Sequence, residues 1–176
     1  RFTPEKNLEA VVRVASMVPE AEFYIAGSTS PYSEPVVSRL RAMIEVIGVD
    51  NVYLMFDVPR RRLDELYSIA KVYLHPLHAE PFGIAVAEGA AAGAVPVVYK
   101  DGGGWTDIAS RIDPTLGYTN VDEAAAIVRS LLRDEARRAR LAARAREVAR
   151  GFSYESFKAR LAEIIEELAR LKGLAG

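Results

Sequence analysis

The chain has 176 residues, half of them hydrophobic and 27% charged, with a formal net charge of −1. That is enough to bury one core, without a global excess of either sign for gripping nucleic acid or an anionic membrane. Zero cysteines exclude disulfides and thiolate metal sites, and two histidines leave little for a histidine-rich one.

In chain order, Thr3-Pro4-Glu5 reads as a helix cap with proline in the first turn, followed by Leu8, Val11, Val12, Val14 and Ala15 at helical spacing. Glu22–Gly27 is a strand ended by glycine, and a polar loop leads to a helix over residues 36–47. A strand at 51–56, a helix at 60–70 and a strand at 72–76 follow. A helix of small residues is expected over 81–92, then a strand at 95–100 and the glycine-rich "DGGG". Residues 105–120 carry no clear pattern. Helices over 122–132, 135–150 and 154–171 end the chain, which is expected to form a single domain over residues 1–176 with a C-terminal helix at 153–172.

Strands alternate with helices, and the strands are continuous apolar runs. The fold class expected is therefore α/β, a Rossmann-like parallel sheet with helices on both faces. Such sheets take ligands at the carboxyl ends of their strands. An α/β domain usually opens on a strand, whereas this sequence opens on a helix start, so it reads as part of a longer polypeptide. No apolar run is long enough to span a bilayer and no signal peptide is visible. A cytoplasmic domain without membrane insertion is expected.

Two carboxylates, Glu80 and Glu88, interrupt an otherwise small and apolar stretch, "HAEPFGIAVAEGAAAGAVPVVYK". Acids in such a stretch need a partner or a task. Glu80 precedes Pro81 and could simply cap the helix behind it. Glu88 could be a solvated glutamate on an amphipathic helix, although its neighbours offer few polar residues. Eight helical steps would separate their α-carbons by roughly 12 Å. A glycosidase pair needs carboxyl groups about 5–9.5 Å apart, so the spacing better suits gripping two ends of an elongated ligand. Arg1 and Lys6 flank the first helix, where a guanidinium and an ammonium could neutralise phosphate without a metal. The loop Lys100–Gly104 is expected to present backbone amides without obstructing side chains. Arg60-Arg61-Arg62 reads as a solvated helix start facing away from the ligand.

These stretches resemble the C-terminal, donor-binding domain of GT-B glycosyltransferases, most closely the retaining family 4. The resemblance rests on Arg1, Glu5, Lys6 and Asn7, on "EPFGIAVAE" at Glu80–Glu88, on "AAGAVPVV" at Ala91–Val98, on Asp101-Gly102-Gly103, and on "FSYESF" at Phe152–Phe157. It implies that Glu80 holds hydroxyls of a donor sugar and that Phe82, Gly83 and Ile84 offer amides to sugar or phosphate. It implies that Glu88 accepts from ribose hydroxyls, that Arg1 and Lys6 stabilise the leaving diphosphate, and that the base lies near Asp57 and Val58, with Gly102 and Gly103 lining the donor site. It further implies a metal-independent, retaining hexose transfer with no cofactor beyond the nucleotide-sugar substrate. The partner it implies is a missing N-terminal acceptor-binding domain. A likeness to mannosyltransferases that build lipid-linked oligosaccharides favours GDP-mannose over a UDP-linked sugar. The chain departs from the family at Leu77, where many members carry serine, and near Phe56, where many carry glycine. His75 and His78 are expected to be structural or loop residues. Two other readings stand beside this one: a non-catalytic nucleotide-sugar-binding module, and a phosphoacceptor receiver-like domain using Asp57 and Lys100.

Overall fold

The structure is a computed structural model that describes residues 1–172. Five parallel strands and eight α-helices run through these residues, alternating up to the last strand and closing on three successive helices. β1 (Phe23–Gly27) pairs with β2 (Val52–Phe56), and β3 (Val72–His75) pairs with β4 (Val95–Tyr99), which in turn pairs with β5 (Gly117–Tyr118). The expected parallel α/β architecture is present, but among the described residues the strands form two sheets, β2-β1 and β3-β4-β5.

The helices are α1 (Leu8–Met17), α2 (Glu34–Ile47), α3 (Arg60–Ile69), α4 (Ile84–Ala92), α5 (Ser110–Ile112), α6 (Val121–Arg133), α7 (Glu135–Arg150) and α8 (Tyr154–Leu171). α1 packs against α2 and α6, and α4 against α7 and α3. Val11, Val12, Val14 and Ala15 on α1, with Ala124, Ala125, Val128 and Leu131 on α6, supply much of the buried core. Side chains of Asn120, Asp134 and Ser153 accept from the amides three residues on, which starts α6, α7 and α8 where capping chemistry places them. α8 carries Tyr154, Phe157, Ile165, Leu168 and Leu171 exposed and buries none of its residues.

β4 is deeply buried, since both its edges are paired and its faces are covered; Val95, Pro96, Val97 and Val98 are all buried. A proline inside a central strand should cost a ladder bond. Here it does not, because Pro96 turns its nitrogen toward β5, which begins only opposite Val98.

Most boundaries shift by only one or two residues, and three places differ from the sequence reading for a physical reason. Thr3 opens a 3₁₀ turn, Pro4–Lys6, and α1 starts separately after Asn7, whose φ of 48° breaks the run. α4 starts at Ile84 rather than Pro81, because Gly83 sits before it in the left-handed region with φ of 95°. The unpatterned region is helical: a π-helical turn, Gly104–Ala109, runs into α5 and then a 3₁₀ turn, Pro114–Leu116.

Candidate functional site

The carboxyl ends of the strands open on a cleft, part of a cavity of about 1150 Å³. Arg1, Lys6, Glu80, Phe82, Glu88 and Val58 all line it, as do Gly83 and Ile84. Glu80 and Glu88 thus face one cavity, as gripping a single ligand would require.

Glu80 does not cap α4. It lies in the bend between Pro76 and Ile84, and the N-terminus of α4 receives no side-chain cap. Its carboxylate is held from the other side: Oε2 lies 3.1 Å from His75 Nε2 and 3.9 Å from Lys6 Nζ. The helical estimate of the Glu80–Glu88 separation therefore falls, since only Ile84–Glu88 of that interval is helical.

His75 is a group that sequence reasoning set aside. It is buried at the end of β3, and burial pushes its imidazole pKa below the ordinary 6.5 against the opposing pull of Glu80. A carboxylate only accepts, so the neutral ring donates through Nε2–H to Glu80. Tyr73 stacks on the ring with centroids 6.0 Å apart, and Tyr118 Oη donates to the His75 carbonyl at 3.0 Å, fixing the strand end. A histidine five residues before an acid, at the end of a strand, was the available signal. His78 instead packs at a tilt against Tyr99, 3.7 Å between centroids, with Asp101 4.0 Å away.

Glu88 is partly exposed and has two partners. Its Oε1 accepts from Arg60 Nη1 at 2.6 Å, and its Oε2 lies 3.5 Å from Tyr67 Oη. Burial, then the charge of Glu88, pushes the Tyr67 phenol up to about 12, so it remains a donor. The expectation that Arg60 faces away is corrected. Arg60, held also by Asp64 at 2.8 Å, turns onto the cleft acid, whereas Arg61 and Arg62 pair with Glu65 on their own helix.

The glycine loop is also corrected. It is not open: the Gly103 amide donates to the Glu80 carbonyl at 2.6 Å, and Gly102 and Gly103 press on the backbone of residues 79–82. An added Cβ on Gly103 would overlap the Pro81 carbonyl oxygen and lie 2.7 Å from Phe82 Cα. On Gly102, which has φ of 63°, it would lie 2.8 Å from Glu80 N. Their lack of side chains lets two loops touch, which sets the position of Glu80. Asp101 completes the clasp by accepting from the Ala79 amide at 2.8 Å.

At the loop after β2, Asp57 has φ of 49° and accepts from the Thr29 amide at 2.8 Å and from Thr29 Oγ1 at 2.5 Å. Those bonds hold its carboxyl below the usual range. The loop after β1 thus meets Asp57 with a threonine rather than an acid, which removes the support for the receiver-like reading.

Comparison with known proteins places this chain in a family. The model of the family described as glycosyl transferases group 1 matches residues 1–148. The chain is 30% identical over 167 residues to a D-inositol 3-phosphate glycosyltransferase of Xylanimonas cellulosilytica, covering 94% of this chain and 40% of that protein. It is 27% identical over 183 residues to the human GDP-Man:Man(3)GlcNAc(2)-PP-Dol alpha-1,2-mannosyltransferase, covering 96% of this chain and 37% of that protein. It thus spans about two-fifths of the length of these curated relatives. Among solved structures, sucrose-phosphate synthase from Thermosynechococcus elongatus superposes with a TM-score of 0.83 at 20% identity, covering 97% of this chain and 44% of that one. HepE of Anabaena, in complex with UDP, superposes at 0.82 and 21% identity, covering 95% and 47%. The parallel α/β fold is therefore that of GT-B glycosyltransferases, and the chain belongs to the glycosyl transferases group 1 family.

Proposed function

We propose that this chain is the donor-binding part of a retaining glycosyltransferase that moves a hexose, mannose from GDP-mannose, without a metal. The observation that carries this reading is the shared cleft: Glu80 and Glu88 line it together, with Lys6 beside Glu80 and Arg1 at the same mouth. The relatives include proteins named as using GDP-Man, and a structural neighbour binds UDP.

In this reading Glu80, oriented by His75, accepts hydroxyls of the sugar, while Glu88 accepts from the ribose. Phe82, Gly83 and Ile84 lie between them and offer main-chain amides to sugar and phosphate. Lys6 and Arg1 stand where the diphosphate gains negative charge as the glycosidic bond breaks, and opposing that charge lowers the barrier. The base rests by Val58. Gly102 and Gly103 act by seating Glu80 rather than by touching the donor. An acceptor-binding domain elsewhere in the polypeptide completes the enzyme, so the present residues bind donor but turn over little alone.

Calorimetric titration with GDP, UDP and ADP, each with and without its sugar, tests the reading. GDP-mannose binding at micromolar to millimolar concentration is expected. Absence of binding by every ligand at millimolar concentration would overturn the assignment.

A further inference from the structure

Between Pro81 and Ala85 the wall of the cleft has one side chain able to anchor it. Pro81 is exposed, Ile84 is 71% exposed, Gly83 has no side chain and Ala85 has a single methyl. That leaves Phe82, which is partly buried and packed against the core. The backbone around it needs an anchor. Gly83 stands in the left-handed region, and α4 begins behind it without a side-chain cap. α4 buries only Val86, Gly89 and Ala90, and small residues give a helix shallow ridges that resist sliding and rotation weakly. Gly103 presses on the main chain of Phe82, which leaves the direction of the ring to other contacts.

Phe82 borders two cavities. One is the cleft already described. The other, of about 600 Å³, is walled by residues 151–154 between α7 and α8 and by Phe157 and Arg160. Phe152, which does not line the cleft, meets the Phe82 ring there with centroids 5.0 Å apart and planes at 76°, the edge-to-face geometry that aromatic pairs favour. Among the described residues no other aromatic ring pairs with Phe82.

Phe152 is itself firmly held. α7 packs along α4 with Leu141, Ala145 and Ala149 buried, and Arg146 Nη2 donates to the Ala92 carbonyl at 3.2 Å. The Phe152 amide donates to the Ala149 carbonyl at 3.0 Å, and Ser156 Oγ donates to the Arg150 carbonyl at 3.0 Å. α7 thus meets α4 at both ends, Arg146 at the last residue and Phe152 just before the first. The ring of Phe152 works from a fixed support.

We propose that Phe152 is a positioning residue for donor binding: by seating the Phe82 ring it aims the main-chain amides of Phe82, Gly83 and Ile84 at sugar and phosphate. This rests on the donor-binding reading. Without Phe152 the Phe82 ring is free to turn into the second cavity. Gly83, lacking a Cβ, offers little resistance to that rotation, so the amides follow. A hydrogen bond weakens steeply as its angle closes, so affinity is lost while the fold persists.

The test has one arm without nucleotide and one with it. In the ligand-free chain, the Phe82 ring-proton resonances should shift in Phe152→Ala and stay in place in Phe157→Ala, which opens the same cavity from its exposed side. Unchanged Phe82 resonances in Phe152→Ala would overturn the proposal. By calorimetry, Phe152→Ala should weaken GDP-mannose binding about three- to tenfold. Phe152→Leu, which keeps an apolar side chain and hence the fold, should weaken it in the same direction. In a Phe82→Ala background Phe152→Ala should have no further effect, since it acts through that ring. A lower melting temperature at unchanged affinity, or an equal loss in both backgrounds, would make Phe152 a merely structural contact and overturn the proposal. A wild type that binds no donor would instead remove the donor-binding reading, and this proposal with it.

Discussion

His75 Nε2 lies 3.1 Å from Glu80 Oε2, so a buried, neutral imidazole orients the carboxylate that faces the cleft. Lys6 approaches the same oxygen, and Tyr73 and the Tyr118 hydroxyl complete the surroundings of His75. Because the folded state holds the His75 pKa below 6.5, the unfolded chain binds the proton more readily. The stability from this group is complete above pH 6.5 and is lost as pH falls toward the depressed value. Urea midpoints at pH 7.5 and 5.5 should therefore fall with acidity in the wild type, and fall less in His75→Gln. An identical decline in both would remove His75 as the cause.

Arg60 and Glu88 make a pair whose arginine is largely exposed. A carboxylate accepts from several donors at once, so Arg60 and a ligand hydroxyl can share Glu88. Arg60→Ala should weaken nucleoside diphosphate binding by about two- to fivefold, in keeping with an exposed ion pair. Calorimetry checks this; a hundredfold loss would mean that Arg60 touches the ligand directly.

Gly103→Ala should displace the segment carrying Glu80, because the added carbon meets backbone that has nowhere to move. The expected result is a lower melting temperature together with weaker sugar-dependent binding. Gly104→Ala is the control, since its added carbon would lie 3.7 Å from Val86 Cγ2, an ordinary contact. Equal behaviour of the two variants would count against the clasp.

Asn51 is buried, and its Nδ2 donates to the carbonyls of Ala15, Val18 and Ala21 at 3.2, 3.1 and 2.8 Å. These carbonyls lie at and beyond the end of α1, where those of Ala15 and Val18 also accept from the Val18 and Ala21 amides at 3.1 and 3.2 Å, so the Asn51 amide ties the end of the helix to the loop behind it. Asn51→Ala should cost about 1–3 kcal/mol in denaturant unfolding. No change in midpoint would show that water replaces the amide.

The strands and helices were legible because apolar runs and helical periodicity record burial directly. Glu80 and Glu88 were legible because charge in an apolar stretch demands a reason. The start of α4 was misplaced because Pro81 looks like a first helical residue, whereas the left-handed Gly83 decides the boundary. Gly102 and Gly103 looked like an open loop because a sequence does not record that another backbone lies against them. Arg60 looked solvated because its partner is 28 residues away on another helix. The π-helical turn at Gly104–Ala109 has no periodicity that a 3.6-residue template would detect.

The most direct test compares wild type, Glu80→Gln and Glu88→Gln by calorimetry against GDP and GDP-mannose. Each lost hydrogen bond to a carboxylate should cost about ten- to a hundredfold in affinity. Glu88→Gln should weaken both ligands alike, whereas Glu80→Gln should leave GDP unchanged and remove the advantage of the attached sugar. Wild-type affinity of both variants for both ligands would contradict the two-ended grip.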